Sequence, residues 1–292
     1  MKSIYMDNAA TSYPKPESVY EAVDNFNRYL GSNPGRGSSQ RSLQAGSVLL
    51  QTREALAAFF NIDDSGQIAF MMNVTEALNT GLKGLLKPGD HVITTSMEHN
   101  AVARPLALLE SKGVEWTRVT CAPDGSLDPS DIERAIRPHT RLICILHASN
   151  LCGTIMPIRE VGKIARRNEI LFMVDSAQSA GILDIDVKRD NIDLLAFTGH
   201  KGLLGPQGTG GLYVRPGLVP EPLKQGGTGS LSESLEQPIC MPDLLESGTL
   251  NTPGIAGLKA GVDYIREKGI DNIRAHEKHL TAMLIDGLRE IP

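Results

Sequence analysis

Apolar residues fall along this chain in short bursts separated by longer amphipathic stretches. Seven bursts are rich in β-branched and apolar side chains: Ile68–Met72, His91–Thr95, Val114–Val119, Arg141–His147, Ile170–Val174, Leu194–Phe197 and Gly211–Val214. Each has the length and composition of a strand. Between most of them the spacing changes to a helical period, over Thr75–Leu86, Ala101–Lys112, Pro129–Ile136 and Ile158–Arg167. Alternation of this kind predicts an α/β fold, a mainly parallel seven-stranded sheet with helices on both faces. A long helix is expected over Gln40–Phe60, and two more over Gly254–Lys268 and Ile270–Arg289. The irregular stretch 216–253 carries several prolines and the run Gly226-Gly227-Thr228-Gly229-Ser230. Long loops in compact proteins are usually functional or interfacial, and that is the expectation here.

Composition narrows the function without naming it. At 292 residues the chain is longer than a typical single domain, so one large α/β domain with extra segments, or two domains, is expected. The formal net charge of -5 and the interspersed charges leave no basic face, which argues against nucleic acid and for a small-molecule substrate. No apolar run reaches membrane-spanning length and the start, Met1 to Asp7, lacks a secretory apolar core, so a soluble, cytoplasmic protein is expected. Cys121, Cys144, Cys152 and Cys240 show neither a C-x-x-C pair nor zinc-like spacing, so they read as free thiols and no metal site is expected. Cys144 lies inside an apolar run and reads as a small buried hydrophobe.

Ligands of such sheets bind beyond the carboxyl ends of the strands. Asn73, Ser96, Asn150, Asp175 and Thr198 fall at those ends. Lys201, in Thr198-Gly199-His200-Lys201, follows one strand and Asp175 closes another. An amine and a carboxylate so placed are what a pyridoxal phosphate (PLP) enzyme needs, one for the Schiff base and one for the pyridinium nitrogen. Asp175 alone would read as a helix cap; Gln178, one turn on and able to reach the phenolic oxygen, and Lys201 downstream favour the cofactor reading. Gly199 and Gly202 are expected to let the backbone approach a ligand, and a partly dry pocket would lower the Lys201 amine pKa, favouring Schiff-base formation and proton transfer.

The remaining strand ends offer a phosphate site and ring contacts. Thr198 and His200 can donate to a phosphate, although His200 reads equally as a hydrogen-bonded core histidine. Asn73-Val74-Thr75-Glu76 opens a helix, where the amides near Val74 and the Thr75 hydroxyl would attract an anion. The same tetrad reads as a plain Thr N-cap with a nearby acid. His99 is placed either to lie on a cofactor ring and shuttle protons or to start a helix. Asn150 could bond the ring oxygen or serve a turn. Five strand ends, each supplying the group type such a site needs, favour the cofactor reading jointly.

These residues lie within longer motifs: Tyr5-Met6-Asp7-Asn8-Ala9-Ala10-Thr11, Asn33-Pro34-Gly35-Arg36-Gly37, Val74-Thr75-Glu76, Glu98-His99-Asn100-Ala101, Ser149-Asn150-Leu151-Cys152-Gly153-Thr154, Val174-Asp175-Ser176-Ala177-Gln178, Thr198-Gly199-His200-Lys201 and Ser247-Gly248-Thr249-Leu250-Asn251-Thr252. Over nearly the whole chain they resemble the class V aminotransferase-like PLP enzymes, specifically the cysteine desulfurase and selenocysteine lyase branch. The resemblance implies the type I fold of PLP-dependent transferases. Residues 1–20 would associate with a small domain, 21–255 form the large PLP-binding domain, and 256–292 begin the C-terminal small domain.

By the same resemblance Lys201 would carry the cofactor and, with His99, act in catalysis. Asp175 would pair with the ring nitrogen, Gln178 and Asn150 would contact the ring oxygen, and His99 would stack on the ring. Val74, Thr75, Thr198 and His200 would hold the phosphate, and Thr249 would reach the phosphate of the neighbouring subunit of a homodimer. Asn8 and Arg36 would lie near the substrate mouth. The implied activity is conversion of L-cysteine, or L-selenocysteine, to L-alanine, with sulfur passing to an enzyme thiol as a persulfide. Sulfur metabolism and iron-sulfur cluster assembly would be its setting, with a sulfur-acceptor protein as a further partner. Two other readings stand beside it: a class V aminotransferase or other PLP lyase acting on a different amino acid, and a non-catalytic PLP-binding or sulfur-transfer scaffold. Family members run on for roughly a hundred residues more, a segment the size of a small domain that carries the persulfide-forming cysteine and the arginine gripping the substrate carboxylate. None of the four cysteines occupies a matching position. Two explanations compete, a truncated version of a longer enzyme and a naturally short, degenerate member; the apolar positions of the helical pattern in which the chain stops would want a partner, so truncation is expected.

Overall fold

A computed structural model describes residues 4–34, 39–231 and 233–291. All seven expected strands form one sheet: β1 (Ile68–Met71), β2 (His91–Thr95), β3 (Glu115–Val119), β4 (Thr140–Leu146), β5 (Leu171–Asp175), β6 (Leu194–Thr198) and β7 (Gly210–Val214). Their order is β1-β7-β6-β5-β4-β2-β3. Pairings among β2 to β6 are parallel, whereas β7 runs antiparallel to both β6 and β1. The connection 199–209 is too short for the crossover that a parallel return requires, and so it reverses the chain direction.

The helices are α1 (Glu17–Asn25), α2 (Gln40–Phe60), α3 (Val74–Leu85), α4 (Asn100–Glu110), α5 (Pro129–Arg134), α6 (Ile158–Arg167), α7 (Thr252–Lys268) and α8 (Ile270–Arg289). Helix α1, which runs on into a π-helical turn at Phe26–Leu30, was not among the expected helices. Val19 is its only buried residue, so its apolar period is too sparse to read from sequence.

Alternation within the strands divides the core into two layers. Ile143 and Ile145 of β4, Phe172 and Val174 of β5, and Leu195 and Phe197 of β6 pack with Leu56, Phe60, Ile132, Val161 and Leu258, which come from α2, α5, α6 and α7. Their neighbours Leu142, Cys144, Leu171, Met173, Leu194 and Ala196 pack with Ala77, Leu78, Leu82, Val102 and Leu106 from α3 and α4. Helices therefore cover both faces, as the period-2 pattern requires. Leu258 is fully buried, and its truncation to Ala would cost about 2–5 kcal/mol. Helix α7 packs on α1 and α2. Helix α8 buries none of its residues, and Leu280, Met283, Leu284, Ile285 and Leu288 are exposed. Among the described residues no helix is long and apolar enough to cross a membrane.

Candidate active site

At the carboxyl ends of β1, β4, β5 and β6 the chain encloses a cavity of about 420 Å³. Nine of the residues singled out from the sequence line it together: Val74, Thr75, His99, Asn150, Asp175, Gln178, Thr198, His200 and Lys201. The parallel strands end in register, Leu146 opposite Asp175 and Asp175 opposite Ala196, which brings the following loops to one edge. That volume falls within the range of cofactor pockets.

Asp175 is 4% exposed and closes β5. Its Oδ1 accepts from the Ala177 amide at 2.9 Å, so the carboxylate does organise the turn after the strand. Among the described residues it makes no ion pair. Burial pushes its pKa up, opposed by the Ala177 amide and by the charges of Lys201 and His99. Lys201 is half-buried; burial lowers its pKa and Asp175 partly restores it. Amine and carboxyl are thus both driven toward their neutral forms until a charged or polar ring group joins them.

The phosphate-facing end gains its donors from helix geometry. Asn73, not Thr75, caps α3: its Oδ1 accepts from the Glu76 amide at 2.9 Å, while Glu76 Oε2 accepts from the Met72 amide at 2.7 Å. This reciprocal cap leaves the Val74 and Thr75 amides without an intrahelical acceptor and the Thr75 side chain free to face the cavity. Thr198 is buried, its hydroxyl 3.4 Å from the Thr209 carbonyl. The Nδ1 of His200 is buried with no partner among the described residues, and burial with the charges of Lys201 and Lys15 lowers its pKa. A neutral, unpartnered imidazole beside free amides and two threonines fits a phosphate acceptor.

His99 is both things the sequence allowed, a cavity wall and the N-cap of α4. Its Nδ1 accepts from the Ala101 amide at 3.1 Å, which leaves the proton of the neutral ring on Nε2. Gln178 donates through Nε2 to the Ala9 carbonyl at 3.2 Å. Asn150 is exposed at the rim.

The expectation for two glycines is corrected. A Cβ on Gly199 would meet Thr209 Oγ1 at 2.1 Å, and one on Gly202 would meet the Ala180 carbonyl at 2.5 Å. Both glycines serve packing within the chain, not approach to a ligand. Thr249 does not line this cavity; it lines a separate one of about 210 Å³ with Asn33, Arg53, Thr228 and Glu246. Asn8 is exposed, and its Oδ1 accepts from the Tyr13 amide at 2.9 Å, shaping the N-terminal turn. Arg36 lies outside the described residues. Asp7, Ala9 and Ala10 do line the cavity, although sequence reasoning gave them no role.

Sequence reasoning also passed over Glu98. Its Oε1 accepts from Thr95 Oγ1 at 2.7 Å and from the Leu146 amide at 3.2 Å, while Oε2 is buried without a partner among the described residues. Burial, with Asp175 nearby, pushes its pKa up to about 8. Cys144 is fully buried in the core, as expected. Cys152 is exposed, with Sγ 3.2 Å from Thr154 Oγ1, and hydrogen bonds from Ser149 and Thr154 lower its pKa.

The residues present fit PLP: an unpaired buried carboxylate, a desolvated amine, an imidazole wall and an anion cradle share one cavity. Comparison with known proteins agrees in sequence and in fold. A probable cysteine desulfurase of Methanothermobacter thermautotrophicus is 37% identical over 98% of this chain and 74% of its own length. The apo structure of a cysteine desulfurase from Thermococcus onnurineus NA1 superposes with a TM-score of 0.93 at 36% identity, covering 98% of this chain and 73% of that one. SspA in complex with cysteine superposes with a TM-score of 0.80 at 33% identity, covering 90% of this chain and 73% of that one. A sequence model of the family Aminotransferase class-V matches residues 4–292, and the chain belongs to that family.

Proposed function

We propose that this chain is a PLP-dependent cysteine desulfurase that takes L-cysteine toward L-alanine and passes its sulfur to a thiol. The observation that carries the reading is the meeting, in one cavity, of Lys201 with the buried Asp175, which makes no ion pair among the described residues. Lys201 would hold the cofactor, Asp175 its ring nitrogen, His99 its ring face, and Asn150 and Gln178 its ring oxygen. Val74, Thr75, Thr198 and His200 would hold its phosphate. When bound, PLP supplies an electron sink that acidifies the proton on the carbon beside an amino acid's nitrogen.

The chain's own residues supply the rest. Lys201, its basicity lowered by burial, is the amine placed to take that proton. Asp175, once opposite a cation, has a reason to stay ionised that the cavity alone does not give it. Gln178 would exchange its bond to the Ala9 carbonyl for one to the cofactor. Cysteine as substrate is supported by the cysteine-bound relative SspA. Thr249, standing apart from this cavity, would serve the site of a partner subunit in a homodimer. We also propose an N-terminal segment, a large domain and the start of a small domain; the burial of α7 against α1 and α2 favours a boundary after α7 over the expected one at residue 255, with α8 the first helix beyond the large domain's core.

Borohydride reduction of the PLP-loaded protein followed by peptide mapping should place a pyridoxyl group on Lys201. Bound cofactor with Lys201 unmodified would sink the assignment. Incubation with L-cysteine and a thiol acceptor should yield alanine and sulfide, whereas transamination of a 2-oxo acid without sulfide release would move the chain to another activity of its family.

A further inference from the structure

The N-terminal segment grips the main chain on both sides of Lys201. The Ser12 amide donates to the His200 carbonyl at 3.0 Å, and Thr11 Oγ1 donates to the same oxygen at 3.1 Å. Ser12 Oγ stands 3.2 Å from that oxygen and 3.0 Å from the Lys201 carbonyl. Lys15 completes the group: its Nζ donates to Ser12 Oγ at 2.6 Å and to the His200 carbonyl at 2.8 Å. These partners are more than 180 residues apart in sequence. A carbonyl has two lone pairs, so this one is saturated, and one of its donors is a cation.

The two carbonyls belong to the peptide planes that flank the Lys201 Cα. Fixing both planes fixes the direction of the Cα–Cβ bond and so the cone within which the Lys201 amine can move. From the other side the Leu204 amide holds the Lys201 carbonyl at 2.9 Å. Lys15 is half-buried, and burial lowers its amine to about 8, so it remains mostly charged at neutral pH. Its charge and that of Lys201 both act on the His200 ring.

We propose that Lys15 is a positioning residue of this site: with Ser12 it clamps the carbonyls of His200 and Lys201, sets the direction in which Lys201 projects, and places a fixed positive charge behind His200. Its effect on cofactor binding rests on the function proposed above; the clamp and the charge do not. Small displacements of a reacting group cost large factors, which gives such a clamp its value.

The test compares full-length Lys15→Met and Lys15→Arg proteins by two measurements. In cofactor-free protein, NMR titration of the His200 ring, assigned by its loss in His200→Asn, should shift upward by about half a pH unit in Lys15→Met. Lys15→Arg keeps the charge and should titrate like wild type. Equilibrium dialysis should show PLP binding about tenfold weaker in Lys15→Met, the loss of one charge-assisted hydrogen bond, with most of it restored in Lys15→Arg. An unshifted His200 in folded Lys15→Met overturns the proposal, and so does wild-type PLP affinity. If Lys15→Met does not fold, Ser12→Ala decides by the PLP measurement, about threefold weaker supporting the clamp and no change overturning it. Should wild type itself bind no PLP, the proposed function fails, while the histidine titration still judges the clamp.

Discussion

The two edges of the sheet treat their buried polar groups in opposite ways. At the edge where the parallel strands begin, most are paired, although Arg215 Nε has an ion-pair partner but no well-aligned hydrogen bond. His91, the first residue of β2, has Nδ1 2.8 Å from Thr140 Oγ1 and Nε2 2.8 Å from Thr117 Oγ1. Asp193, just before β6, accepts from the Phe172 amide at 2.8 Å and lies 2.6 Å from Arg215 Nε. At the edge where those strands end, Asp175 makes no ion pair among the described residues, and His147 Nδ1, His200 Nδ1 and Glu98 Oε2 have no hydrogen-bond partner among them. A buried polar group left unpaired costs about 1–3 kcal/mol, so the concentration of several at one edge marks the place where something else completes them. One edge holds the fold together; the other holds binding capacity at the expense of stability.

Lys201→Ala should show the largest effect and leave the fold alone. Loss of the amine removes the covalent attachment point and the proposed base, so desulfurase turnover should fall about a thousandfold or more. Among the described residues Lys201 makes no ion pair, and the unfolding midpoint of the cofactor-free protein should stay close to wild type. A large drop in that midpoint would place Lys201 with the structural edge instead. Asp193→Ala should do the reverse, costing about 2 kcal/mol in urea unfolding because it strands the Phe172 amide and removes the partner of Arg215, which is itself partly exposed. The cavity at the far edge should bind PLP unchanged, and a weakened affinity would mean that the two edges are coupled.

The sequence made much of the first contrast legible. Strand bursts are local, so β2 is found at the expected residues, as are α2, α6 and α8. Asp175 and Lys201 could be read because each ends or follows a strand, and parallel topology gathers strand ends without further information. What could not be read depends on distance along the chain. The grip of Thr11, Ser12 and Lys15 on His200 joins residues that no local pattern links. Glu98 looks like any acid before a helix, and only tertiary packing shows its carboxyl to be buried. Gly199 and Gly202 were read as places where the backbone approaches a ligand, and the chain neighbours that in fact crowd them, Thr209 and Ala180, were invisible.

His91 extends the comparison to pH. Burial first, then the charges of Arg137 and His139, lower its pKa to about 4, opposed by Glu115. Its folded pKa lies below the unfolded value of about 6.5, so between those values the unfolded chain binds the extra proton. Stability is therefore full above pH ~6.5 and declines as pH falls toward 4, by up to about 3 kcal/mol from this residue. Burial also takes His147 to about 4, without a partner for its Nδ1. Urea melts at pH 7 and 4.5 should show wild type losing stability with acid and His91→Gln losing less. Equal acid losses in both proteins would assign the sensitivity to His147 and the opposite edge.

The smallest expected effect separates the edges by its sign. Because burial raises the folded pKa of Asp175, this carboxyl favours the folded protein most when protonated, below its unfolded pKa of about 4. That contribution is lost as pH rises through the folded pKa, and the ionised group is then a burden on the cofactor-free fold. Asp175→Asn keeps the shape and removes the charge; it should leave the cofactor-free protein as stable as wild type or up to about 1 kcal/mol more so at pH 8, with no gain at pH 3.5. The same variant should bind PLP more weakly and turn over cysteine far more slowly, since an amide cannot hold a protonated ring nitrogen as a carboxylate does. A destabilised Asp175→Asn, resembling Asp193→Ala, would mean that the Ala177 amide bond outweighs the buried charge, and the carboxyl edge would then owe its acid to the turn after β5 and not to a ligand.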